Sequence, residues 1–175
     1  MFFHYPTGRS AATPEPLAGI FPVGYDLDPE TERETIRFYL DRVEPYLGSP
    51  MLPPILGVHA ALIGDRARAR RLLEQGYGEY VFEPFSETDE FSRVRFGDQP
   101  RKGPFTANLA GFLQSCVLGY TGLRIHCGPP DSWAVRPPAL PAGWDGIEVE
   151  RLELRGRPAH LVARQGEERA RIELD

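Results

Sequence analysis

Lysine is nearly missing from this chain. Of its 20 basic residues only Lys102 is a lysine and the rest are arginine, a bias of the kind codon usage produces. Twenty-five acidic residues leave a net charge of −5, which gives no basis for a nucleic-acid partner. Cysteine is scarce too. Cys116 and Cys127 are the only two, which excludes a secreted disulfide framework, and Cys116 suits its apolar surroundings as a small hydrophobe. No apolar run is long enough to cross a bilayer: the longest, MLPPILGVHAALIG at 51–64, contains two prolines and a histidine and reads as a core helix. The opening MFFHYPTGRS has no basic n-region and too short an apolar run for a signal peptide, so a soluble, cytoplasmic protein without membrane partners is expected. There is no glycine-rich phosphate loop. His4, His59, His126 and His160 lack metal-ligand spacing. No metal or cofactor is expected.

What is present is ordinary globular composition, 41% hydrophobic and 26% charged over 175 residues, enough to bury a core without staples. Residues 1–29, with five prolines and several glycines, read as an irregular lead-in. Asp28-Pro29 is an N-cap followed by proline at the first helical position. Ile36, Tyr39, Leu40 and Val43 then predict a helix over 30–46. A hairpin of helices over 52–63 and 66–80 follows, turning at Gly64 with Asp65 as N-cap. The Arg66, Arg68, Arg70, Arg71 cluster reads as a solvated face with Arg70–Glu74 pairing.

Residues 83–104 show no helical period, and a connection of that length is often functional. It is acidic first (Glu83, Glu87, Asp89, Glu90) and basic later (Arg93, Arg95, Arg101, Lys102). In the next stretch, Leu109, Phe112, Leu113, Cys116, Val117 and Tyr120 recur at helical spacing and predict an amphipathic helix, its apolar stripe facing the core. Thr106 or Asn108 is expected to cap it, and Gly119 and Gly122 to end it. Gly111 inside it predicts close packing. Residues 128–143 are proline-rich connection. Residues 147–154, 159–164 and 169–174 read as strands, with turns at 156–158 and 165–167. The pattern predicts an α+β chain in three parts: lead-in 1–29, helical segment 30–125 and β segment 126–175.

The run VHAALIGDRARARRLLEQGY at 58–77, the acidic loop, AGFLQSCVLGYTGLRI at 110–125 and AGWDGIEVERLELRGRPAHL at 142–161 resemble, in that order, the C-terminal part of glycoside hydrolase family 65. That family includes acid trehalases and disaccharide phosphorylases. The resemblance covers about residues 30–175, and GFLQ followed by GLRI is closer to the hydrolases. It implies that the helices are the last of an (α/α)6 toroid and the strands part of a small antiparallel β-sandwich. It also implies an α-linked glucoside substrate and inverting hydrolysis, in which an acid and a water-activating base stand about 6.5–9.5 Å apart.

By the same resemblance the base falls a few residues after Glu-Pro-Phe, at Glu90, with Glu87 and Asp89 as fallbacks. Arg93 and Arg95 nearby favour its ionised form. Phe85, Phe105, Thr106 and Asn108 are the implied substrate contacts, although aromatics here are more often core. The chain departs from the hydrolases in having Ala107-Asn108-Leu109-Ala110 before GFLQ in place of small residues. The family's general acid lies upstream of any segment matched here, so the chain reads as a base-supplying segment inactive without that half. The other reading is a non-catalytic carbohydrate-binding or protein-interaction module on a helical scaffold. The 52–63 helix, apolar on more than one face, predicts self-association or a complementary subunit.

Overall fold

The computed structural model describes residues 15–47, 53–83, 87–98 and 100–174. Five helices come first: α1 (Glu15–Ile20), α2 (Pro29–Leu40), α3 (Pro53–Leu62), α4 (Arg66–Tyr77) and α5 (Thr106–Gln114). Between α4 and α5 lies a two-stranded ribbon of β1 (Val81–Phe82) and β2 (Glu87–Thr88). Strands β3 (Gly146–Leu154), β4 (Arg157–Arg164) and β5 (Arg171–Leu174) close the chain as an antiparallel sheet in sequential order. The fold is α+β.

Local chemistry sets most boundaries. Asp28 Oδ1 accepts from Thr31 N at 2.9 Å, and Asp65 Oδ1 from Arg68 N at 2.9 Å, so both expected N-caps form. α2 stops at Leu40 rather than 46, and Glu44–Tyr46 is a separate 3₁₀ turn, because Pro45 has no N–H to continue the ladder. The lead-in is not wholly irregular: α1 buries Leu17 and Ile20 against the core. The β3–β4 hairpin turns on two residues, Arg155 (φ 54°) and Gly156 (φ 76°), and Leu154 pairs with Arg157. Two left-handed residues match the strand twist, and they move the turn one residue ahead of the expected 156–158.

The main core joins α1 through α4 with Tyr120 and Leu140, and a second cluster of Leu123, Trp133, Leu161, Ala163 and Ala170 underlies the sheet. α3 is at the centre. Ile55, Leu56, Val58, His59, Ala60 and Ala61 are all buried within this one chain. The expectation that α3 leaves apolar surface for another chain is therefore corrected: its many apolar faces meet α1, α2, α4 and α5. Two of the four clustered arginines are clamps rather than solvated charges. The Arg66 guanidinium donates to Leu140 O, Pro141 O and Trp144 O, and Arg68 donates to Leu40 O. Arg70 pairs with Glu74 at 2.5 Å, as expected for an exposed i,i+4 pair.

The core contact of α5 and the π turn after it lies to one side of the apolar stripe: Phe112, Val117 and Tyr120 pack against the core, while the stripe's other edge faces out. Its buried line is Asn108, Gly111, Ser115 and Gly119, while Leu109 and Leu113 are 42% and 51% exposed. Small residues win that face because they let the backbone come close. A Cβ at Gly119 would sit 2.5 Å from Val58 Cγ2 and 3.0 Å from Phe21 Cζ. Ser115–Gly119 widens into a π turn, with Ser115 Oγ donating to Gly111 O at 2.8 Å. Neither Thr106 nor Asn108 caps the helix; Phe105 holds the N-cap position.

His59 staples α1 to α3. Its Nε2 lies 2.8 Å from Leu17 O and its Nδ1 3.1 Å from Ile55 O. A neutral ring donates to only one of these, and Leu17 O is the shorter contact. Complete burial lowers its pKa from 6.5 to about 4, against weaker opposing effects of the two carbonyls and of Glu32. The unfolded chain thus binds this proton more readily than the folded one. Stability from this group is complete above pH 6.5 and declines as pH falls to about 4. The loss expected is about 3 kcal/mol. Urea titrations at several pH values, compared with His59→Gln, isolate it from the carboxylates: the wild type loses the extra stability across this window and the variant does not. Parallel pH dependence in both would contradict it.

Candidate functional site

The acidic loop is built around Asp89. The ribbon β1–β2 brings it back beneath α4, where Asp89 N donates to Tyr80 O at 2.9 Å. The residue is only 2% exposed. Its Oδ1 accepts from Glu90 N at 2.8 Å and from Lys102 N at 2.9 Å, and its carbonyl accepts from Asn108 Nδ2 at 2.9 Å. A buried carboxylate is tolerable only when paired in this way. Asp89 therefore ties three segments together: the ribbon, the loop's return and the first turn of α5.

Reciprocal bonds lock the return. Phe105 N donates to Thr88 O at 2.7 Å, and Thr88 Oγ1 donates to Phe105 O at 2.8 Å. Gly103 lies so close to β2 that a Cβ there would be 2.6 Å from Thr88 O. Arg101 stacks over Phe82 at 3.7 Å from the ring centroid. On the other flank Ser92 Oγ donates to Glu79 Oε2 at 2.6 Å, and Arg95 reaches the same oxygen at 3.8 Å and Glu44 Oε2 at 3.1 Å.

Glu90 stands on this scaffold with its side chain 25% exposed and Oε2 3.2 Å from Lys102 Nζ. The cation beside it is the chain's one lysine, not the expected arginines. Arg93 instead approaches Asp89 Oδ2 at 3.9 Å, and Arg95 serves Glu79 and Glu44. Glu87 opens β2, paired with Phe82. Phe85 lies outside the described residues. Phe105 is half-buried and Thr106 exposed at the head of α5, beside the loop's return. Asn108 is fully buried and its amide holds the loop.

The structure thus brings Asp89, Glu90, Lys102, Phe105 and Asn108 together and carries Arg95 to the far flank. Sequence reading missed the Asp89–Lys102 tie, which spans 13 residues and leaves no periodic trace. It also missed the Glu79–Ser92–Arg95–Glu44 network. Among the described residues no group of three or more His, Cys, Asp or Glu side chains is arranged to hold a metal ion. Also among the described residues, no helix is long and apolar enough to cross a membrane.

No protein-family model matches the chain, and no solved structure matches it. One curated relative is a protein-glucosylgalactosylhydroxylysine glucosidase of Danio rerio, 27% identical over 106 residues. The match takes in 61% of this chain and 15% of that protein. A stretch of 106 residues in a chain of 175 includes residues 70–106 wherever it starts, so the acidic loop lies within it. The similarity supports a glycoside-hydrolase relationship for that stretch and nothing narrower.

Proposed function

We propose that this chain is the base-bearing C-terminal segment of an inverting α-glucoside hydrolase of the family 65 type, with helices from the end of an (α/α)6 toroid and strands from its β-sandwich. Glu90 is the general base. It takes a proton from the attacking water while a carboxylic acid on a separate segment protonates the leaving oxygen. Asp89 fixes the backbone at Glu90 and Lys102 together, which sets the Lys102 ammonium beside the Glu90 carboxyl group. Phe105 and Thr106 face the glucoside from the head of α5, and Asn108 acts through the loop it holds. Glu87 is the alternative base.

The observation that carries this reading is the match to a glucosidase across a loop in which the buried Asp89 carboxylate presents a second, partly exposed carboxylate, Glu90, beside a cation. A solvated acidic loop has no need of a buried Asp or of an α5 side chain to hold its shape. The chain alone is expected to show no hydrolysis of trehalose, kojibiose or nigerose above background, because losing one partner of an acid–base pair typically forfeits about 10²–10⁴ in rate. Glucose release from purified chain checks this. Turnover that Glu90→Gln abolishes would place the acid within these 175 residues and overturn the split of roles.

A further inference from the structure

The GLRI and GFLQ stretches are not part of the Glu90 loop, yet they meet around a cavity. Gly122, Leu123, Arg124 and Ile125 line a space of about 380 Å³ together with Gln114. Gln114 ends α5, so the cavity lies about 12 Å along the helix from Thr106 and the acidic loop. Buried Ile20, Phe21 and Val58 form its floor with Leu118. A concave site of this size suits a small ligand.

Its walls are fixed from within the chain. Arg124 N donates to Trp133 O at 2.8 Å, and Val135 N and Arg136 N both donate to Gly122 O, at 3.1 and 3.2 Å. Gly24 has a φ of 72°, and a Cβ there would lie 2.9 Å from Arg124 Nε. Glycine at 24 thus admits the Arg124 side chain alongside the turn that follows α1. Among the described residues the wall carries two guanidiniums, Arg124 and Arg136, against one carboxylate, Asp26. A positive mouth on a chain of net charge −5 draws anions to this spot.

The two arginines are not equally engaged. Arg136 holds both oxygens of Glu32, a residue outside the wall, at 2.6 and 2.7 Å, and the Glu32 side chain is only 15% exposed. Arg124 meets Asp26 through one contact of 2.6 Å, between side chains 43% and 89% exposed. A pair so exposed contributes little, and the Asp26 carboxylate is free to turn to water. We propose that Asp26 holds the place of a ligand carboxylate, and that the cavity takes a small amphipathic monocarboxylate, its head on Arg124 and its apolar body against Phe21, Val58 and Leu118. An inorganic anion leaves that floor uncovered, and a neutral apolar molecule forgoes the bond to Arg124. The site does not depend on the glycosidase reading, because neither Glu90 nor its loop lines the cavity.

Calorimetric titration of the full chain with octanoate, acetate and 1-octanol tests it. Octanoate is expected to bind with a Kd below about 1 mM. It should bind at least about 100-fold tighter than acetate, because its longer chain leaves water. It should also bind about tenfold tighter than 1-octanol, since a charge-assisted hydrogen bond is the stronger one. Arg124→Gln should remove the preference for octanoate over octanol. Asp26→Asn should tighten octanoate binding by about threefold or more, because the competing carboxylate is gone. In the Arg124→Gln background the same change should bring no gain, which separates competition at Arg124 from a general loss of negative charge. If Arg124→Gln does not fold, exposed Asp26→Asn carries the test alone. Methyl resonances of Val58 and Leu118 should move as octanoate binds. No binding at millimolar octanoate, equal affinity for octanoate and octanol, no gain in Asp26→Asn, or unmoved Val58 and Leu118 methyls would each overturn the proposal.

Discussion

Gly57→Ala should cost the chain about 3 kcal/mol or more, enough to leave it largely unfolded at modest temperature. A Cβ at position 57 would lie 2.3 Å from Tyr120 Oη, 2.9 Å from Ala69 O and 3.3 Å from Leu73 N. Two of those atoms are the backbone of α4, so no rotamer change relieves them; α3 and α4 must separate. The third belongs to a ring that is fully buried and packed edge-on against Trp144 at 6.0 Å between centroids. Alanine's better helix propensity recovers only about 1 kcal/mol. The Tyr120 hydroxyl is buried with no hydrogen-bond partner among the described residues, and burial drives its pKa far up. Tyr120→Phe should therefore be neutral or stabilising, since an unpaired buried hydroxyl costs about 1–3 kcal/mol. Combined with Gly57→Ala it should recover part of the loss, the part due to Oη. Denaturant melts of the four proteins give the coupling directly. Equal damage in both backgrounds would mean that the α4 backbone alone sets the limit.

The order of α2 to α5 and of β3 to β5 was legible in the sequence because each of these elements carries its own signal, whereas α1 and the β1–β2 ribbon were not read. Asp28-Pro29 and Asp65 start helices by side-chain chemistry within four residues, and the alternation in 147–174 needs no long-range information. What was not legible depends on closeness. The apolar stripe of α5 is only partly turned inward, with Leu109 and Leu113 left exposed, because hydrophobic periodicity takes the core for the place of large side chains. Here the core face carries Asn108, Gly111, Ser115 and Gly119, and at Gly119 the missing side chain lets Val58 and Phe21 come close. α3 looked like a helix in search of partners because its apolar count was readable and its neighbours were not. The acidic loop could be found as a cluster, yet Asp89 and Glu90, adjacent and alike on paper, take opposite parts. One is buried against two amides and the other stands partly exposed beside Lys102.

The base assignment is tested most directly in a chimera: the Danio rerio glucosidase with its matching stretch replaced by this chain's. That stretch is 15% of the relative and includes residues 70–106 of this chain, so the graft carries the whole acidic loop into an otherwise complete enzyme. Glu90→Gln keeps the size of the side chain and its reach to Lys102 but removes the basicity that activates water. If Glu90 is the base, the grafted enzyme hydrolyses its glucoside and the variant loses about 10²–10⁴ in kcat with little change in KM, because a general base acts in the transition state rather than in binding. Lys102→Met should fall between the two, because it leaves the carboxylate in place without its cation. A loss that follows Glu87→Gln alone would move the base to the start of β2. A folded, active chimera indifferent to glutamine at both 87 and 90 would contradict the glycosidase reading of the loop.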